Sequence, residues 1–308
     1  MNIVGRRKIF YALSGVLFLA SMLAFALFGL RFGIDFTGGS LLEVEYRTSR
    51  PAVDAIRGVL ESLDLGTVVM QPTGERGLLL RFAHIDEEKH QNVLTGLRGL
   101  AAGGDQDPGV LAERRFDTIG PTIGRELRQR SLLAVGLVIL LIVSYIAFAF
   151  RKVSLPIASW KYGIVTVVAL LHDVVIPTGF FAVLGRVAGF EVDTLFVTAI
   201  LTILGFSVHD TIVVFDRVRE NLKREGARPE AFPEVINQSV NETFTRSVNT
   251  SLTVILALAA VYLFGGESTR VFVLTLMIGI VAGTYSSIFI ASPLLATWYL
   301  WDAKRKSV

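Results

Sequence analysis

Residues 271–301 read VFVLTLMIGIVAGTYSSIFIASPLLATWYLW, a run without one charged side chain. Folded as a helix, this run exceeds the ~20 residues needed to cross the hydrocarbon core of a bilayer. Residues 9–30 and 131–150 form two further uncharged runs. Three apolar segments with polar interruptions complete the set, at 162–184, 194–215 and 244–264. The sequence therefore predicts an α-helical membrane protein with six transmembrane helices.

The composition agrees with a membrane protein and narrows its chemistry. Of the 308 residues, 52% are hydrophobic and only 19% are charged, which is unusual for a soluble domain. There is no cysteine, which excludes disulfides and thiolate metal sites. The net charge of +3 is too small to indicate a nucleic-acid surface. The first uncharged run is too long for the core of a signal peptide, and we expect it to be retained as an anchor.

Positive charges are distributed unequally between the two sides of the predicted bundle. The short loops of one side carry only Arg186 and Arg270. The other side carries Arg6, Arg7, Lys8, Arg151, Lys152, Lys161, Arg217, Arg219, Lys223, Arg224, Arg228, Lys304, Arg305 and Lys306. Because short cytoplasmic loops are enriched in lysine and arginine, we expect both termini in the cytoplasm. The long segment between the first two spans escapes this rule and is expected on the periplasmic side.

This long segment reads as a folded α+β domain. Apolar and acidic residues alternate from Ser40 to Arg47, which indicates a half-buried strand. Two helical patterns and three more strand patterns follow, giving the order β-α-β-β-α-β of a ferredoxin-like fold. The expected domains are the N-terminus with the first span (1–30), the periplasmic domain (31–129), the other five spans (130–302) and a basic cytoplasmic tail (303–308).

Two glycine motifs flank the domain, and two further glycines lie in the last span. GIDFTGG, at 33–39, precedes the domain, and Gly38-Gly39 indicates a tight turn with positive φ. GPTIGREL, at 120–127, follows it, and its proline suits the first turn of a helix that continues into the second span. Gly279 and Gly283 lie four residues apart and predict the close approach of a neighbouring helix.

Two ionisable residues fall inside predicted spans, Asp210 in the fourth and Arg246 in the fifth. Such residues are costly in lipid and are a functional-site hypothesis by default. Thr243, Ser247 and Thr250 share one face of the fifth span, and Arg246 lies beside that face. We expect this polar stripe to face the bundle interior, where antiparallel packing would bring Arg246 to Asp210.

Three interpretations of Asp210 and Arg246 remain open. They can form a static ion pair that fixes helix register, because breaking a buried pair costs ~3–5 kcal/mol. Alternatively, Asp210 exchanges a proton: burial favours the neutral carboxyl and a nearby arginine favours the charged one, so a moving Arg246 would load and unload it. In the third interpretation, Arg246 extends to the cytoplasmic interface and does not reach Asp210.

Two spans each contain a His-Asp dipeptide, His172-Asp173 in the third and His209-Asp210 in the fourth. Because neighbouring side chains point ~100° apart on a helix, we expect no hydrogen bond within either dipeptide. Pro177 should kink the third span one turn after Asp173, and polar residues near such a kink often line a cavity.

Enzyme and metal motifs are absent from the sequence. It contains neither the H-E-x-x-H motif of membrane zinc proteases nor the G-x-G-D motif of membrane aspartyl proteases. Four histidines without any cysteine do not favour a metal cluster. We therefore expect neither enzyme activity nor a cofactor; in the interpretation in which Asp210 exchanges a proton, the proton is the coupling ion.

Four motifs, taken in order, resemble those of the SecF family, the smaller membrane subunits of the SecD–SecF complex in bacterial protein export. GIDFTGG follows the first span and GPTIGREL precedes the second. DTIVVFDRVREN ends the fourth span, and TRSVNTSLT lies in the fifth. The resemblance covers essentially the whole chain and implies one six-span half of an RND-type transporter.

The resemblance also implies partners and residue roles. SecD would supply the other six-span half and a further acid. SecYEG, YajC, the translocating preprotein and membrane lipid would be the other partners, and nucleic acid would not be one. The proton pathway would use Asp210 and Arg246, with Thr243, Ser247, Thr250, His172 and Asp173 as further candidates. Coupling to the periplasmic domain would run through Asp35, Gly38, Gly39, Gly120 and Pro121.

The function implied is that of an auxiliary translocase subunit driven by the proton-motive force in the bacterial cytoplasmic (inner) membrane. With SecD it would promote preprotein translocation and release. One alternative is a proton-coupled small-molecule exporter of the same superfamily, although such exporters usually carry both halves in one long chain. Another is a passive assembly scaffold of the translocon, in which Asp210 and Arg246 are purely structural.

Overall fold

A computed structural model of the chain describes residues 1–101, 108–150, 157–224 and 231–306. Three of the basic loop residues, Arg151, Lys152 and Arg228, and the last two residues of the predicted tail lie outside this description. The chain divides into two compact units. A helical unit contains residues 1–31 and 132–308, and a sheet unit contains residues 32–131.

The described residues form helices interrupted by four strands near the N-terminus. In chain order the elements are α1 (Arg7–Phe28), α2 (Ile34–Thr37), β1 (Gly39–Tyr46), α3 (Val53–Glu61), β2 (Val69–Thr73), β3 (Gly77–Phe82), α4 (Glu87–Gly99), β4 (Leu111–Ile119), α5 (Pro121–Ala149), α6 (Ser159–Val187), α7 (Thr194–Arg224), α8 (Phe232–Phe264), α9 (Glu267–Ser286), a π-helical segment (Ser287–Ala291) and α10 (Ser292–Lys306).

Six helical stretches in the described chain are long and apolar enough to cross a membrane, as predicted. They are α1, α5, α6, α7, α8 and the last span, which α9, the π-helical segment and α10 form together. The sequence pattern did not indicate the π-helical segment. A π-helical turn carries one extra residue within a helix and occurs frequently at functional sites.

Buried positions are divided unequally among the spans. In the most apolar stretch of the last span 61% of positions are buried, against 6% in α1 and in α5. On α5, Leu132 and Leu133 are 69% and 71% exposed. In a bilayer such side chains contact lipid, whose tails are as apolar as leucine. The best-shielded positions for polar side chains therefore lie on α6, α7 and the last span.

Glycines bring α9 into close contact with α7. A Cβ atom on Gly279 would lie 2.1 Å from Ile203 Cδ1, and one on Gly283 would lie 3.0 Å from Ser207 Cβ. The close approach predicted from the spacing of these glycines is confirmed. It places the end of α9 beside the part of α7 that contains Ser207 and Asp210.

The sheet unit has the predicted ferredoxin-like order. Its four strands run β2-β3-β1-β4 across the sheet, and every neighbouring pair is antiparallel. Alternate residues of β1 point into the core, where Leu42 lies opposite Leu80 on one side and Phe116 on the other. Helices α3 and α4 complete this core with Ile56, Leu60, Val93, Leu94 and Leu97.

The two glycine motifs meet at one end of the sheet unit. Gly38 and Gly39 have φ angles of +73° and +126°, which confirms the predicted positive φ. A Cβ on Gly38 would lie 2.8 Å from the Cα of Pro121, and one on Gly124 would lie 2.8 Å from the Gly38 nitrogen. Only glycine allows so close a contact. The chain therefore enters and leaves the unit at one place.

Asp35, Gly120 and Pro121 of these motifs lie in or beside the helices α2 and α5. Asp35 lies in the single turn of α2, and Gly120 has open space around its Cα. Pro121 is the first residue of α5, which continues without a break to Ala149, as its position in the motif predicted. That these residues transmit motion to the domain stays a prediction.

Candidate functional site

Asp210 is buried near the middle of α7, with 7% of its surface exposed. Its carboxyl oxygens accept two hydrogen bonds, one from Ser247 Oγ at 2.5 Å and one from Ser287 Oγ at 2.6 Å. Ser247 belongs to α8, and Ser287 is the first residue of the π-helical segment. Three spans therefore meet at this one carboxyl.

Contacts with the last span show how deep Asp210 lies. Ser287 lies near the centre of the uncharged run 271–301, far from either end of that span. Because Ser287 and Ser247 both bond to Asp210, all three residues share that depth. Arg246 immediately precedes Ser247, so its backbone lies at the same depth. This position does not favour the interpretation in which Arg246 extends to the cytoplasmic interface.

The predicted contact between Arg246 and Asp210 is not present in the structure. Arg246 is exposed on the outer surface of the helical unit, and serine hydroxyls occupy the carboxyl oxygens of Asp210. With 3.6 residues per turn, positions 243, 247 and 251 fall on one face of α8, and positions 246, 250 and 253 fall on the next. Within the described residues, Asp210 has no cation at ion-pair distance.

The predicted polar stripe of α8 is therefore two faces rather than one. Thr243 and Ser247 are buried as predicted, and Ser251 joins them. Arg246 and Thr250 are exposed, as are the neighbouring Asn249 and Thr253, and the prediction that Arg246 and Thr250 face the interior of this bundle was wrong. We call residues 246, 249, 250 and 253 the outer polar face of α8.

Asp173 is a second buried carboxyl, fully enclosed on α6. It accepts hydrogen bonds from Ser207 Oγ of α7 at 2.5 Å and from Ser286 Oγ of α9 at 2.7 Å. His172 Nδ1 lies 2.9 Å from the other carboxyl oxygen. The prediction that His172 and Asp173 do not bond was wrong, because both side chains are long enough to bridge the ~100° between them.

His172 also links this carboxyl to α1. Its Nε2 is buried and has no hydrogen-bond partner in the described part of the chain. Its ring stacks on Tyr285, with 6.2 Å between the ring centroids. The Tyr285 hydroxyl donates to the carbonyl of Phe10 at 3.2 Å and accepts from Ser14 Oγ at 3.3 Å. Hydrogen bonds thus join α1 to Tyr285 of α9, and a ring contact joins Tyr285 to His172 of α6.

His209 has a different environment from His172. It is exposed, and no bond joins it to Asp210 among the described residues. For this dipeptide the expected absence of a hydrogen bond agrees with the structure. Its side chain is directed away from the buried carboxyl.

The two carboxyls are connected by short stretches of two helices. Ser286 and Ser287, which bond to Asp173 and Asp210 respectively, are consecutive residues of the last span. Ser207, which also bonds to Asp173, lies one turn before Asp210 on α7. A second contact between neighbouring spans, Ser251 Oγ to Thr284 Oγ1 at 2.5 Å, lies beside them. Each carboxyl therefore has its own two hydroxyl donors, and one donor of each pair comes from the consecutive residues Ser286 and Ser287.

Sequence reasoning located the acids but missed most of their hydrogen-bond donors. The missed donors are Ser207, Ser286 and Ser287. The neighbouring polar contacts of Ser14, Ser251 and Tyr285, which do not reach either acid, were also missed. The serine pair 286–287 within an uncharged run was the one available signal. Within the described residues, no group of three or more histidine, cysteine or acidic side chains could hold a metal ion.

Comparison with known proteins identifies the family. The family model described as "Protein export membrane protein SecD/SecF, C-terminal" matches residues 105–301, and the model described as "SecD/SecF GG Motif" matches residues 23–49. The protein translocase subunit SecF of Thermobaculum terrenum is 44% identical over 97% of this chain and 94% of its own. The SecF subunit of Anaerolinea thermophila is 38% identical over the same shares of the two chains.

Solved structures agree with these matches. The crystal structure of SecDF, a translocon-associated membrane protein from Thermus thermophilus, matches with a TM-score of 0.79 and 31% identity. The match covers 97% of this chain and 38% of that chain. A structure of SecDF in a "Super-membrane-facing form" matches with a TM-score of 0.67. The six spans, the inserted ferredoxin-like unit and these relatives show that this multi-pass membrane protein belongs to the SecF family of protein translocase subunits.

Proposed function

We propose that this chain acts with SecD as a subunit that uses the proton-motive force to promote preprotein translocation and release. Its relatives are named protein translocase subunits, and the related SecDF is described as translocon-associated. The proposed location is the bacterial cytoplasmic membrane with both termini in the cytoplasm, as the basic loops indicate. SecYEG, YajC and the preprotein are the other proposed partners, and the proton is the proposed coupling ion.

The observation that carries the proposal is the environment of Asp210. Its hydrogen-bond donors are the neutral hydroxyls of Ser247 and Ser287, deep inside the bundle. A carboxylate is expensive to bury without a cation, and it avoids that cost by taking up a proton. The side chain can therefore change its charge when the packing around it changes, as proton coupling requires. A static ion pair with Arg246 would have held it in the charged state.

The outer polar face of α8 supports the proposed partnership with SecD. Polar side chains within a membrane rarely face lipid, and they usually pair within a bundle or line a cavity. Arg246, Asn249, Thr250 and Thr253 are exposed on a span whose other residues are mostly apolar. A second six-span half packed on this face would shield them. The related SecDF chain, of which this chain spans 38%, is long enough to contain such a half.

Replacing Asp210 with asparagine tests proton coupling. Asparagine keeps the size of the side chain but cannot titrate. We expect Asp210→Asn to abolish the part of preprotein translocation that depends on the proton gradient, while leaving the part driven without the gradient. Translocation into inverted membrane vesicles, with and without an ionophore, measures both parts.

The matched control for this test is Asp216→Asn. Asp216 lies six residues further along α7, is 58% exposed at its side chain and pairs with Arg219 at the surface. We expect this variant to retain gradient-dependent translocation. Full gradient-dependent translocation in an Asp210→Asn protein of normal abundance would instead favour the passive scaffold.

A further inference from the structure

Asp173 is a second buried carboxyl, which the resemblance names only as a further candidate for the proton pathway. It is as enclosed as Asp210, and it has three hydrogen-bond donors where Asp210 has two: Ser207, Ser286 and His172. Packing alone does not explain a carboxyl with this set of donors, because an apolar side chain of similar volume would fill the space at lower cost. Its surroundings therefore indicate a role in binding.

The hydroxyls of Ser286 and Ser287 each have two acceptors within reach. Ser286 Oγ lies 2.7 Å from Asp173 Oδ2 and 3.1 Å from the carbonyl oxygen of Gly283. Ser287 Oγ lies 2.6 Å from Asp210 Oδ2 and 3.0 Å from the carbonyl oxygen of Thr284. A hydroxyl has one hydrogen to donate and two lone pairs that accept. Each serine can therefore turn its hydrogen from carboxyl to carbonyl without moving its oxygen.

This choice of acceptors matches what a carboxyl needs when it binds a proton. An ionised Asp173 only accepts hydrogen bonds, whereas a protonated one must also donate. When Ser286 turns its hydrogen to Gly283, its lone pair can accept the new proton of Asp173. The same exchange is possible between Ser287 and Asp210. Both charge states of each carboxyl thus have a complete set of partners.

His172 gives the second carboxyl a place to receive a proton. Its Nδ1 lies 2.9 Å from Asp173 Oδ1. An ionised carboxyl can only accept, so we assign the hydrogen of the neutral ring to Nδ1, which leaves Nε2 as an acceptor. That Nε2 is buried and unpartnered among the described residues. A proton that binds at Nε2, or directly at the carboxyl, changes the charge of the His172–Asp173 pair from −1 to 0.

The titratable groups around this pair belong to few elements. On α6 itself there is His172, on α7 Asp210 lies one turn from Ser207, and on α9 Tyr285 stacks on the histidine ring. Helix α1 contributes no titratable group at this contact among the described residues, since it reaches Tyr285 with the hydroxyl of Ser14. Towards α10, the charged contact of α6 is the pair between Lys161 and Asp302. Lys161 lies at the start of α6, far from Asp173 along that helix. Among these groups Asp210 is the other buried carboxyl.

We propose that His172 and Asp173 form a second proton-binding site, and that the serine pair 286–287 couples its occupancy to that of Asp210. The two serines are consecutive, so one stretch of backbone carries a donor to each carboxyl. They lie where α9 passes into the π-helical segment, which Ser292 Oγ stabilises by donating to the Ser287 carbonyl at 3.0 Å. This inference rests on the proposed function in that it assumes protons reach the bundle.

Infrared difference spectroscopy tests the second site directly. Spectra of the purified chain in complex with SecD in lipid, taken at acid minus alkaline pH, show the carbonyl stretch of each carboxyl that gains a proton. Among the bands of the parent protein we expect one that Asp210→Asn removes and one that Asp173→Asn removes. Asp210→Asn should keep the band of Asp173, Asp173→Asn should keep that of Asp210, and the double variant should lose both. A spectrum of Asp173→Asn identical to that of the parent overturns the proposal.

Coupling is tested with Ser286→Ala, which does not contact Asp210. We expect it to shift the Asp210 band as well as the Asp173 band, whereas Thr275→Val should shift neither. Thr275 is a matched control, because it is a buried hydroxyl of α9 whose bond among the described residues is to the carbonyl of Val271. If the Asp173→Asn protein does not accumulate, Ser286→Ala serves as the test. Unchanged Asp173 and Asp210 bands in this variant overturn the coupling.

The histidines supply a second matched comparison. His172→Gln should shift the Asp173 band, and His209→Gln should not, because His209 is exposed and makes no bond to either carboxyl among the described residues. The two proposals also fail separately. A titrating Asp173 together with normal gradient-dependent translocation in Asp210→Asn would refute only the proposed function. A silent Asp173 with an inactive Asp210→Asn would refute only the second site.

Discussion

At the scale of single residues, hydroxyl groups surround the carboxyls of the membrane unit. Asp210 and Asp173 could be selected from the sequence, because an acid in an apolar span is rare and costly. Ser207, Ser286 and Ser287 could not, because serine is common in membrane spans and its hydroxyl usually bonds to its own helix. Which serine reaches a carboxyl depends on how neighbouring helices are rotated, and no sequence period encodes that rotation.

Tyr46 of β1 shows a titration effect outside the membrane. Burial raises the pKa of this phenol to about 12, and its hydroxyl donates to the carbonyl of Leu97 at 3.3 Å. In the unfolded chain the phenol loses its proton near pH ~10, so the folded unit binds more protons between these values. Its contribution to stability is complete below pH ~10 and is lost as the pH rises towards about 12.

Thermal unfolding of the sheet unit within the whole chain, followed by circular dichroism across this pH range, measures the effect. We expect Tyr46→Phe to be less stable at neutral pH, because the Leu97 carbonyl loses its partner. We also expect its unfolding temperature to fall less between pH ~10 and ~12 than that of the parent. Equal slopes for the two proteins would show that other groups cause the alkaline loss.

At the scale of elements, α8 shows what periodicity can and cannot predict. Its length, its apolar character and the presence of polar positions follow from the sequence. Whether those positions form one face or two depends on a single residue of spacing, because one residue more or less turns a side chain by ~100° around the helix. The division between Ser247 and Arg246 became clear only when α7 and α9 were in place. The π-helical segment was missed for a related reason, because it leaves the hydrophobic pattern of the span unbroken.

The packing of α1 on α6 gives a prediction for Gly179. A Cβ atom there would lie 2.4 Å from Ser21 Cβ and 2.5 Å from Ser21 Cα, so the backbone of α1 would have to move. We expect Gly179→Ala to lower the free energy of unfolding by ~1–3 kcal/mol, as overpacking typically does.

Gly163→Ala is the matched control on the same helix, because a Cβ at Gly163 meets no atom within 4 Å. Both variants gain the same helix propensity, so the difference between their thermal unfolding curves in detergent isolates the clash. Equal stability of the two variants would contradict the close contact between α1 and α6.

At the scale of the whole molecule, the sequence predicted both architectures. Uncharged runs reveal membrane spans because a bilayer tolerates few alternatives to an apolar helix. Strand alternation in the β-α-β-β-α-β order restricts the sheet to few topologies, and the observed order β2-β3-β1-β4 is the ferredoxin-like one. The site was less predictable, since it depends on contacts between spans that are distant in sequence.

Arg246 allows a prediction about assembly. In the isolated chain it is exposed, so Arg246→Gln should change the free energy of unfolding by less than ~0.5 kcal/mol. In the complex with SecD the same variant should lose gradient-dependent translocation, because SecD would cover the outer polar face of α8, to which Arg246 belongs. Thermal unfolding in lipid nanodiscs and the vesicle translocation assay measure the two effects.

Arg224→Gln serves as the control, since Arg224 is an exposed arginine in the last turn of α7. It should leave both measurements unchanged. A loss of ~3–5 kcal/mol for Arg246→Gln in the isolated chain would instead indicate a buried ion pair and revive the static interpretation.

The contact of Gly38 with Pro121 and Gly124 has a consequence for evolution and engineering. Because the polypeptide enters and leaves the sheet unit at one place, the unit has the character of an insertion whose two ends touch. Segments with adjacent ends can be exchanged or permuted with little disturbance to the host fold. The ferredoxin-like unit can therefore be replaced as a whole. Its size and surface can change while the contacts of Gly38 with Pro121 and Gly124 stay fixed.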